Sequence, residues 1–390
     1  MGRTGSIRLF HIGGIAVDLH WTFFLIILAG GWQGWLWYGT WLGIAQAIAV
    51  IVLLFASTLL HEVGHTLQAR ALGLTARRIV LLPIGGLAQL ETPPTQPGQE
   101  LLVALAGPWV NLGAAVILGV AIFFVWGLVP GDWAVQITLS IFSPPTLLAL
   151  ALYTLAANMM LFAFNMLPAF PMDGGRILRA GLAMATDYEL ATRVASWLGR
   201  VLSLLLLVLA FFGWPPLNIP PNPLLAIVTP IIYFGAQYEE RYVRRQRALV
   251  RLEARDLCQS PDESLSPWQN LSDKLVRHLF RLERPLPVVV EGRLVGLLGY
   301  QDIRRNLKGL PEPVTVAHVM QSEFPSIQSH ETLWVTLQEM NAARLDVMPV
   351  VDQGQFKGLI LRDNLNFAWR YTNRAEANTR DVQPHSERMS

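Results

Sequence analysis

The sequence predicts an α-helical polytopic membrane domain followed by a soluble α/β domain, and three observations support this fold class. Of the 390 residues, 52% are hydrophobic and only 15% are charged, whereas about a quarter of the residues of a typical soluble protein are charged. The apolar residues are concentrated in residues 21–238, in runs long enough to cross a bilayer. Residues 239–390 have an ordinary polar composition, so the chain divides into two parts of different kind.

Six apolar runs are predicted to be transmembrane helices, because a helical span needs about 20 apolar residues. Lys and Arg precede the first run and follow the second, fourth and sixth, but they do not follow the first, third or fifth. By the positive-inside rule, this alternation puts both termini and the soluble domain in the cytoplasm. The sixth run is short and is interrupted by Pro230. The runs are residues 21–38, 42–60, 101–127, 146–164, 193–213 and 223–238.

Two further segments of the membrane domain are too irregular to cross it. Residues 7–20 alternate weakly and contain a Gly-Gly pair, which favours a short hairpin at the inner interface. Residues 79–100 are apolar but interrupted by Gly and Pro, which favours a strand or a re-entrant loop. Such backbone is tolerated at membrane depth only if protein buries it or if it lines a wet cavity. We therefore expect a cavity within the helical bundle.

Residues 59–67, LLHEVGHTL, place polar groups within an apolar run. His61, Glu62 and His65 form the pattern H-E-x-x-H, on a helix predicted to continue to about Leu72. Residues i and i+4 of a helix share one face, so both imidazoles can bind one metal ion, for which zinc is the natural candidate. Glu62 is then placed to take a proton from the attacking water and to pass it to the leaving amine. Ionisable groups inside a membrane are costly, which disfavours a chance occurrence.

A catalytic zinc site normally has three protein ligands, so a third must come from elsewhere in the chain. Asp173 is the preferred candidate, because it follows the fourth run in the segment NMLPAFPMDGGR, residues 165–176. Pro168 and Pro171 interrupt the helix there, and the Gly-Gly pair allows tight backbone geometry. An ordinary turn explains the same segment when it is considered alone. The other carboxylates considered are Asp18 ahead of the first run, Glu91 and Glu100, both expected to be solvated, Asp132, and Asp187, expected to start a helix.

HEVGH in the second run and NMLPAFPMDGGR after the fourth run resemble the two signatures of the site-2 protease family of intramembrane zinc metalloproteases. The resemblance covers residues 7 to about 240 and includes Gly85–Gly86 and the segment GPWVN at residues 107–111. It implies that residues 1–240 form a membrane-embedded protease domain. It also implies a multi-pass integral membrane protein of a bacterial or archaeal cell membrane.

The resemblance assigns roles to individual residues. It implies that His61, His65 and Asp173 bind one zinc ion per chain and that Glu62 is the catalytic acid/base. It further suggests that Asn165 supports the site by hydrogen bonding to the substrate carbonyl. The implied reaction is hydrolysis of peptide bonds in or near transmembrane segments of membrane-anchored substrates, as in regulated intramembrane proteolysis.

A helical substrate has its carbonyls paired and must unwind before it can be cleaved. Gly85 and Gly86, flanked by Ile84 and Leu87, are hypothesised to offer a strand edge that holds the unwound chain by β-augmentation. A simple glycine turn explains these residues equally well. The expected partners are a single-span membrane regulator as substrate and the lipid bilayer. No nucleic-acid partner is expected, since the basic residues follow the membrane spans.

The soluble half begins with a predicted linker helix at residues 241–254. LPVVVEGRLVGLLGYQDIRR at residues 286–305 and MPVVDQGQFKGLILRDNLN at residues 348–366 then repeat one pattern of strand, turn, strand and helix. The pattern resembles a tandem pair of cystathionine-β-synthase (CBS) domains over residues 255–370. Such a pair implies a regulatory or dimerising module, with a homodimer as one arrangement. Residues 371–390 are predicted to be a disordered tail.

CBS pairs often bind adenine nucleotides through a Thr and an Asp after the second strand. The first unit retains Asp302, a candidate nucleotide contact, but has Gly299 where Thr is usual. The second unit has Leu361 and Asn364 at these positions. Because of these departures, a module without a ligand remains an equal alternative.

Two other functional classes fit a helical membrane protein. A metal transporter gives no reason for Glu62 within the motif, and the sequence shows no inverted repeat of broken spans. A catalytically inactive scaffold is not expected to retain both histidines, the glutamate and Asp173. The sequence therefore favours a zinc endopeptidase over both alternatives.

Overall fold

The computed structural model describes residues 5–82, 85–90, 94, 96–126, 146–214, 216, 218, 220–282, 284–307 and 313–369. The predicted tail at residues 371–390, together with Ile84, Glu91 and Asp132, lies outside the described residues. Contacts between Cα atoms divide the chain into two units, Met1–Arg241 and Tyr242–Ser390. The first unit is a helical bundle with one small sheet, and the second is built from two β-hairpins and the helices around them.

The helices of the first unit confirm the predicted helical membrane domain. Within the described part of the chain, α2, α3, α4 and α6 are long and apolar enough to cross a membrane. The first and sixth predicted spans are also helical, although α1 has only 16 residues. Helix α7 continues into the predicted linker helix and includes its residues 241–250. The helices are α1 Phe23–Tyr38, α2 Trp41–Ala71, α3 Pro97–Trp126, α4 Leu147–Asn165, α5 Asp173–Ala183, α6 Tyr188–Phe212 and α7 Leu224–Val250.

Helix α2 occupies the centre of the bundle, where it packs against α1, α3, α4 and the strands of the small sheet. Its approach to α3 depends on Gly64, because a Cβ atom there would lie 2.9 Å from the carbonyl oxygen of Ala106. The amphipathic helix α5 packs between α3 and α6. Asp187 is the N-cap of α6, as predicted, and its carboxylate accepts a hydrogen bond from the backbone N–H of Glu189 at 3.0 Å.

A four-stranded sheet in the order β1-β2-β3-β4 packs on α2. The predicted hairpin at residues 7–20 is confirmed, and its turn uses Gly13 and Gly14 at φ of 53° and 84°, as a tight hairpin turn requires. Strands β2 and β3 are parallel, and their buried Val17 and Ile79 pack near Phe55 of α2. Within the described part of residues 79–100, residues 79–82 and 85–90 form strands, as one of the two alternatives predicted, and residues 97–100 already belong to α3. The strands are β1 Ser6–Ile12, β2 Ile15–His20, β3 Ala76–Leu82 and β4 Gly85–Leu90.

The second unit contains an internal repeat that confirms the predicted tandem arrangement of strands and helices. The pairs Val288↔Gly296 and Val350↔Gly358 occupy equivalent places in two antiparallel hairpins, 62 residues apart, and a bulge follows each valine. The elements are α8 Ala254–Leu257, α9 Asp273–Leu282, β5 Leu286–Val290, β6 Arg293–Leu298, α10 Tyr300–Asn306, α11 Val316–Val319, α12 Leu333–Ala343, β7 Val347–Asp352, β8 Gln355–Leu361 and a helical segment at residues 362–369.

The two repeats exchange their leading segments. Gln259, in the first repeat, pairs with Leu359 of β8, and its counterpart Gln321, in the second repeat, pairs with Leu297 of β6. Each pair is joined by two backbone hydrogen bonds of 2.8–3.0 Å. Each hairpin is therefore extended by a segment of the other repeat. The two hydrophobic clusters follow the same exchange, since Ala254 packs with the second hairpin, and Val316 and Val319 pack with the first.

Candidate metal centre

Three side chains predicted to be ligands meet in the first unit. The Nε2 atoms of His61 and His65 lie 3.0 Å apart, and they lie 3.0 Å and 3.1 Å from Oδ2 of Asp173. All three residues are buried, with exposed fractions of 5% to 8%. These are the donor atoms of one compact cluster, in which every pair of donors is within 4.8 Å.

The two histidines converge because they are four residues apart on α2, so their side chains lie one above the other on one face. Asp173 reaches them from the first residue of α5. The loop before it folds tightly against the start of this helix, because Gly174 and Gly175 have no side chain. A Cβ atom at these positions would lie 2.1 Å from the carbonyl oxygen of Leu167 and 2.5 Å from the backbone nitrogen of Phe170. The expectation of tight backbone geometry is thus confirmed.

Helix α3 supplies the wall behind the imidazoles. Nδ1 of His65 lies 2.7 Å from the carbonyl oxygen of Val103, and Nδ1 of His61 lies 3.1 Å from Nδ2 of Asn111. Between them, a Cβ atom on Gly107 would lie only 2.3 Å from Nε2 of His65. The sequence resemblance named Gly107 and Asn111 only as part of a motif, and their place against the histidines was not foreseen.

Glu62 is a residue of α2 and lies beside the cluster, with its side chain close to strand β4. A Cβ atom on Gly86 would lie 2.3 Å from Cγ and 2.9 Å from Cδ of Glu62. Glycine at this position therefore allows the strand to approach the carboxylate-bearing side chain. Gly85 is the first residue of the same strand and pairs with Leu82. Within the described residues, β4 is at the edge of the sheet, since its neighbour is β3 alone.

Asn165 is the last residue of α4, and it is half-buried. It begins the loop that leads to Asp173. The hydrogen bonds that the structure describes for the three clustered side chains do not involve it. Its predicted contact with a substrate carbonyl thus remains a prediction.

A buried ionic network holds α5 in place. Nε of Arg179 donates to Oε1 of Glu100 on α3 at 2.8 Å, and the hydroxyl of Tyr188 donates to Oε2 of Glu100 at 3.1 Å. The guanidinium also stacks 4.8 Å from the ring centre of Phe170 and lies 3.5 Å from Oε2 of Glu239. The expectation that Glu100 is solvated was therefore wrong: it is 5% exposed, because Arg179 compensates its charge. The network ties the helix that carries the third candidate ligand to α3.

The geometry of the cluster fits a zinc ion. Two imidazole nitrogens and one carboxylate oxygen are a donor set that catalytic zinc accepts, with a further position for water. Ligands about 2.0–2.2 Å from a tetrahedral zinc are about 3.3 Å from one another, and the donors here are 3.0–3.1 Å apart. Both Nδ1 atoms already have partners on α3, which leaves the Nε2 atoms facing the centre.

The second unit contains a cavity of about 360 Å³. Asp262, Arg284 and Leu361 are among the residues that line it. Asp302, the predicted nucleotide contact, does not line this cavity. Its Oδ2 instead accepts a hydrogen bond from the backbone N–H of Gly299 at 2.8 Å and caps α10.

Comparison with known proteins gives matches to both units. Residues 49–209 match the model of peptidase family M50, and residues 316–369 match the model of the CBS domain. Zinc metalloprotease MJ0392 of Methanocaldococcus jannaschii is 33% identical over 368 residues, which cover 92% of this chain and 95% of that protein. Among solved structures, the site-2 protease from Methanocaldococcus jannaschii matches with 34% identity and a TM-score of 0.40, over 60% of this chain and 95% of the other.

Proposed function

We propose that this chain, which belongs to peptidase family M50, the site-2 protease family of zinc metalloproteases, cleaves membrane-anchored proteins in or near their transmembrane segments. Its class as a zinc metalloendopeptidase and its C-terminal CBS domain follow from the family matches. The observation that carries the intramembrane reaction is the location of the histidines. They lie buried on α2, a helix of 31 residues that is apolar enough to cross a membrane.

The proposed roles follow the contacts of each side chain. His61, His65 and Asp173 would hold the zinc ion, and zinc, when bound, supplies a Lewis acid that activates water and polarises the scissile carbonyl. Glu62 accepts the proton of the attacking water and returns it to the nitrogen of the leaving amine. Arg179 keeps α5, and with it Asp173, fixed against α3 through Glu100.

The substrate is proposed to bind by β-augmentation, as an extended chain along the edge of β4 opposite β3, which pairs with no other strand among the described residues. The close approach of Gly86 to Glu62 supports substrate binding at this edge, because a chain paired there would pass beside the general base. Asn165, at the end of α4, is proposed to donate a hydrogen bond to the substrate carbonyl. The expected substrate is a membrane-tethered regulator with a single span.

Exchange of Glu62 for Gln tests the proposal, because the amide keeps the shape of the side chain but cannot accept the proton. Purified Glu62→Gln protein should retain one zinc ion per chain while peptide cleavage is lost. Asp173→Ala should lose the metal as well. Membrane proteins released in wild-type cells should accumulate uncut in Glu62→Gln cells. Equal release in the two strains, with zinc present in both proteins, would rule out Glu62 as the general base and the proposed cleavage of membrane proteins.

Both termini and the CBS pair are proposed to lie in the cytoplasm, as the charge pattern indicates. Cys258 in the second unit is the single cysteine of the chain, so a membrane-impermeant maleimide reports on its side of the membrane. Burial raises the pKa of its thiol, and mildly alkaline pH is therefore used. Labelling is expected only after the cells are permeabilised, with Cys258→Ser as the blank. Labelling in intact cells would contradict this orientation.

The CBS pair is proposed to regulate the protease or to join two chains. The alternative is that the pair binds an adenine nucleotide. The cavity of about 360 Å³ favours this alternative, because its volume is within the range of small-molecule sites. Calorimetric titration of the full chain with AMP and with ATP separates the two cases. Saturable heat that Arg284→Ala removes would support a nucleotide site, whereas absence of heat with both would leave the dimerising role.

A further inference from the structure

One face of α3 contacts both candidate histidine ligands. Val103, Gly107 and Asn111 follow one another at intervals of four residues, so they line one face of this helix. His65 likewise follows His61 by four positions, so each imidazole contacts a different group on α3. The carbonyl oxygen of Val103 lies 2.7 Å from one Nδ1, and the Asn111 amide lies 3.1 Å from the other.

The partner of each Nδ1 atom determines whether the Nε2 atom of the same ring carries a proton. A neutral imidazole carries one proton, and the nitrogen that binds a metal must be the one without it. For His65 the state is fixed, because a backbone carbonyl can only accept, so Nδ1 must donate to Val103. For His61 the state depends on Asn111, whose amide offers both a donor and an acceptor.

Asn111 is free to present either of these atoms. The residue is fully buried, and its Oδ1 has no hydrogen-bond partner among the residues that the structure describes. Rotation of the amide by 180° about its last side-chain bond therefore breaks no other described hydrogen bond. With Nδ2 toward His61, the proton is on Nε2 and is shared with Asp173 at 3.0 Å. With Oδ1 toward His61, the proton moves to Nδ1 and Nε2 is left with a free lone pair.

We propose that Asn111 is a positioning residue for the metal centre, which holds His61 in the tautomer whose Nε2 can bind zinc. The inference rests on the proposed zinc site at His61, His65 and Asp173. Partners of this kind, which accept the N–H of the non-ligating nitrogen, typically change metal affinity 10- to 100-fold when they are removed.

Zinc affinity of the full-length protein in detergent tests the proposal. The protein is stripped of metal, and zinc is titrated against a chelator of known affinity. Asn111→Leu, which is similar in size but cannot accept a hydrogen bond, should bind zinc about 10- to 100-fold more weakly. Asn111→Asp, which accepts from Nδ1–H as well as the amide does, should bind it at least as tightly as the wild type.

Asn158→Leu is the matched control. Asn158 is likewise a buried asparagine of the bundle, 2% exposed, but its Nδ2 donates to Oγ of Ser57 at 2.9 Å and not to a histidine. The zinc affinity of the Asn158→Leu protein should equal that of the wild type. An Asn111→Leu affinity equal to that of the wild type, or an equal loss in Asn158→Leu, overturns the proposal.

The aspartate variant decides the question if the leucine variant does not fold. Weaker zinc binding by Asn111→Asp than by the wild type overturns the proposal, since an acceptor at this position would then not suffice. Failure of the zinc site itself has a different signature. In that case wild-type protein takes up no zinc, or Asp173→Ala binds it as the wild type does, whatever residue 111 is.

Discussion

Gly107 is the position at which a single added carbon should empty the metal site. It lies on α3 directly against both imidazoles. A Cβ atom there would be 2.3 Å from Nε2 and 2.5 Å from Cε1 of His65, and 2.8 Å from Cε1 of His61. The variant Gly107→Ala therefore forces at least one of the two rings away from α3. The helix itself gains from the change, because alanine is favoured over glycine by about 1 kcal/mol in a helix interior.

The size of the displacement can be worked from these distances. An ordinary contact between a methyl carbon and a ring atom is about 3.5 Å or more, so Nε2 of His65 must move by about 1.2 Å. Metal–ligand distances tolerate only about 0.2 Å, so this donor is lost to the ion. Loss of an outer partner alone costs about 10- to 100-fold in metal affinity, and loss of a ligand should cost about 100-fold or more.

Metal content and affinity of the purified protein measure this effect. Gly107→Ala should be purified with much less than one zinc ion per chain and should lack peptidase activity. Gly113→Ala is the control, since a Cβ atom at that position of the same helix meets nothing within 4 Å. It should retain zinc and activity. A Gly107→Ala protein with one zinc ion per chain and wild-type affinity would refute the account of how α3 and the histidines pack.

Three smaller changes probe other contacts. Gly86→Ala places a methyl carbon 2.3 Å from Cγ of Glu62, so kcat should fall about 100-fold while bound zinc, measured by mass spectrometry, stays at one per chain. Arg179→Met leaves buried carboxylates without their cation, and thermal unfolding should show a destabilisation of about 3–5 kcal/mol; an unchanged midpoint would contradict the network. Gly358→Ala should destabilise the second unit by about 1–3 kcal/mol, because its Cβ would meet a backbone oxygen at 2.4 Å. The equivalent Gly296→Ala should cost less, because a flexible methionine side chain can give way there, and equal costs would contradict this comparison.

The sequence predicted the parts of the site that depend on short-range patterns. The four-residue spacing of His61 and His65 is visible in any helical interpretation of the second apolar run. Asp173 could be selected because prolines and a Gly-Gly pair surround it, and the structure brings its carboxylate to 3.0 Å from His61. These features are encoded within a few neighbouring residues, which is why they could be recognised without coordinates.

The contribution of α3 could not be predicted from residue types alone. Val103 acts through its backbone carbonyl, so the identity of its side chain carries no information about the contact. Gly107 contributes by lacking a side chain, and Asn111 is one neutral amide in an apolar helix. The available signal was their spacing, which repeats that of the histidines, but it becomes meaningful only once α2 and α3 are known to be neighbours.

Glu100 shows how a distant partner overturns a local expectation. Its neighbours in sequence are polar and rich in proline, so a solvated carboxylate was expected. The compensating cation, Arg179, lies 79 residues further along the chain. The sixth apolar run was predicted to end at residue 238, and α7 continues as one helix from Leu224 to Val250, which includes residues 241–250 of the predicted linker helix. Helical hydrogen bonding does not stop where the side chains become charged.

The exchange of leading segments in the second unit constrains how this part of the chain can be synthesised. Gln259 forms backbone hydrogen bonds with Leu359, which the ribosome adds 100 residues later. The sheet of the first repeat is likewise incomplete until Gln321 has been synthesised. The early half must therefore persist with an open strand edge during translation, when it is exposed to mispairing with other nascent chains. A product that terminates early, between the two repeats, would keep that edge for its lifetime and is expected to be a substrate for chaperones and degradation.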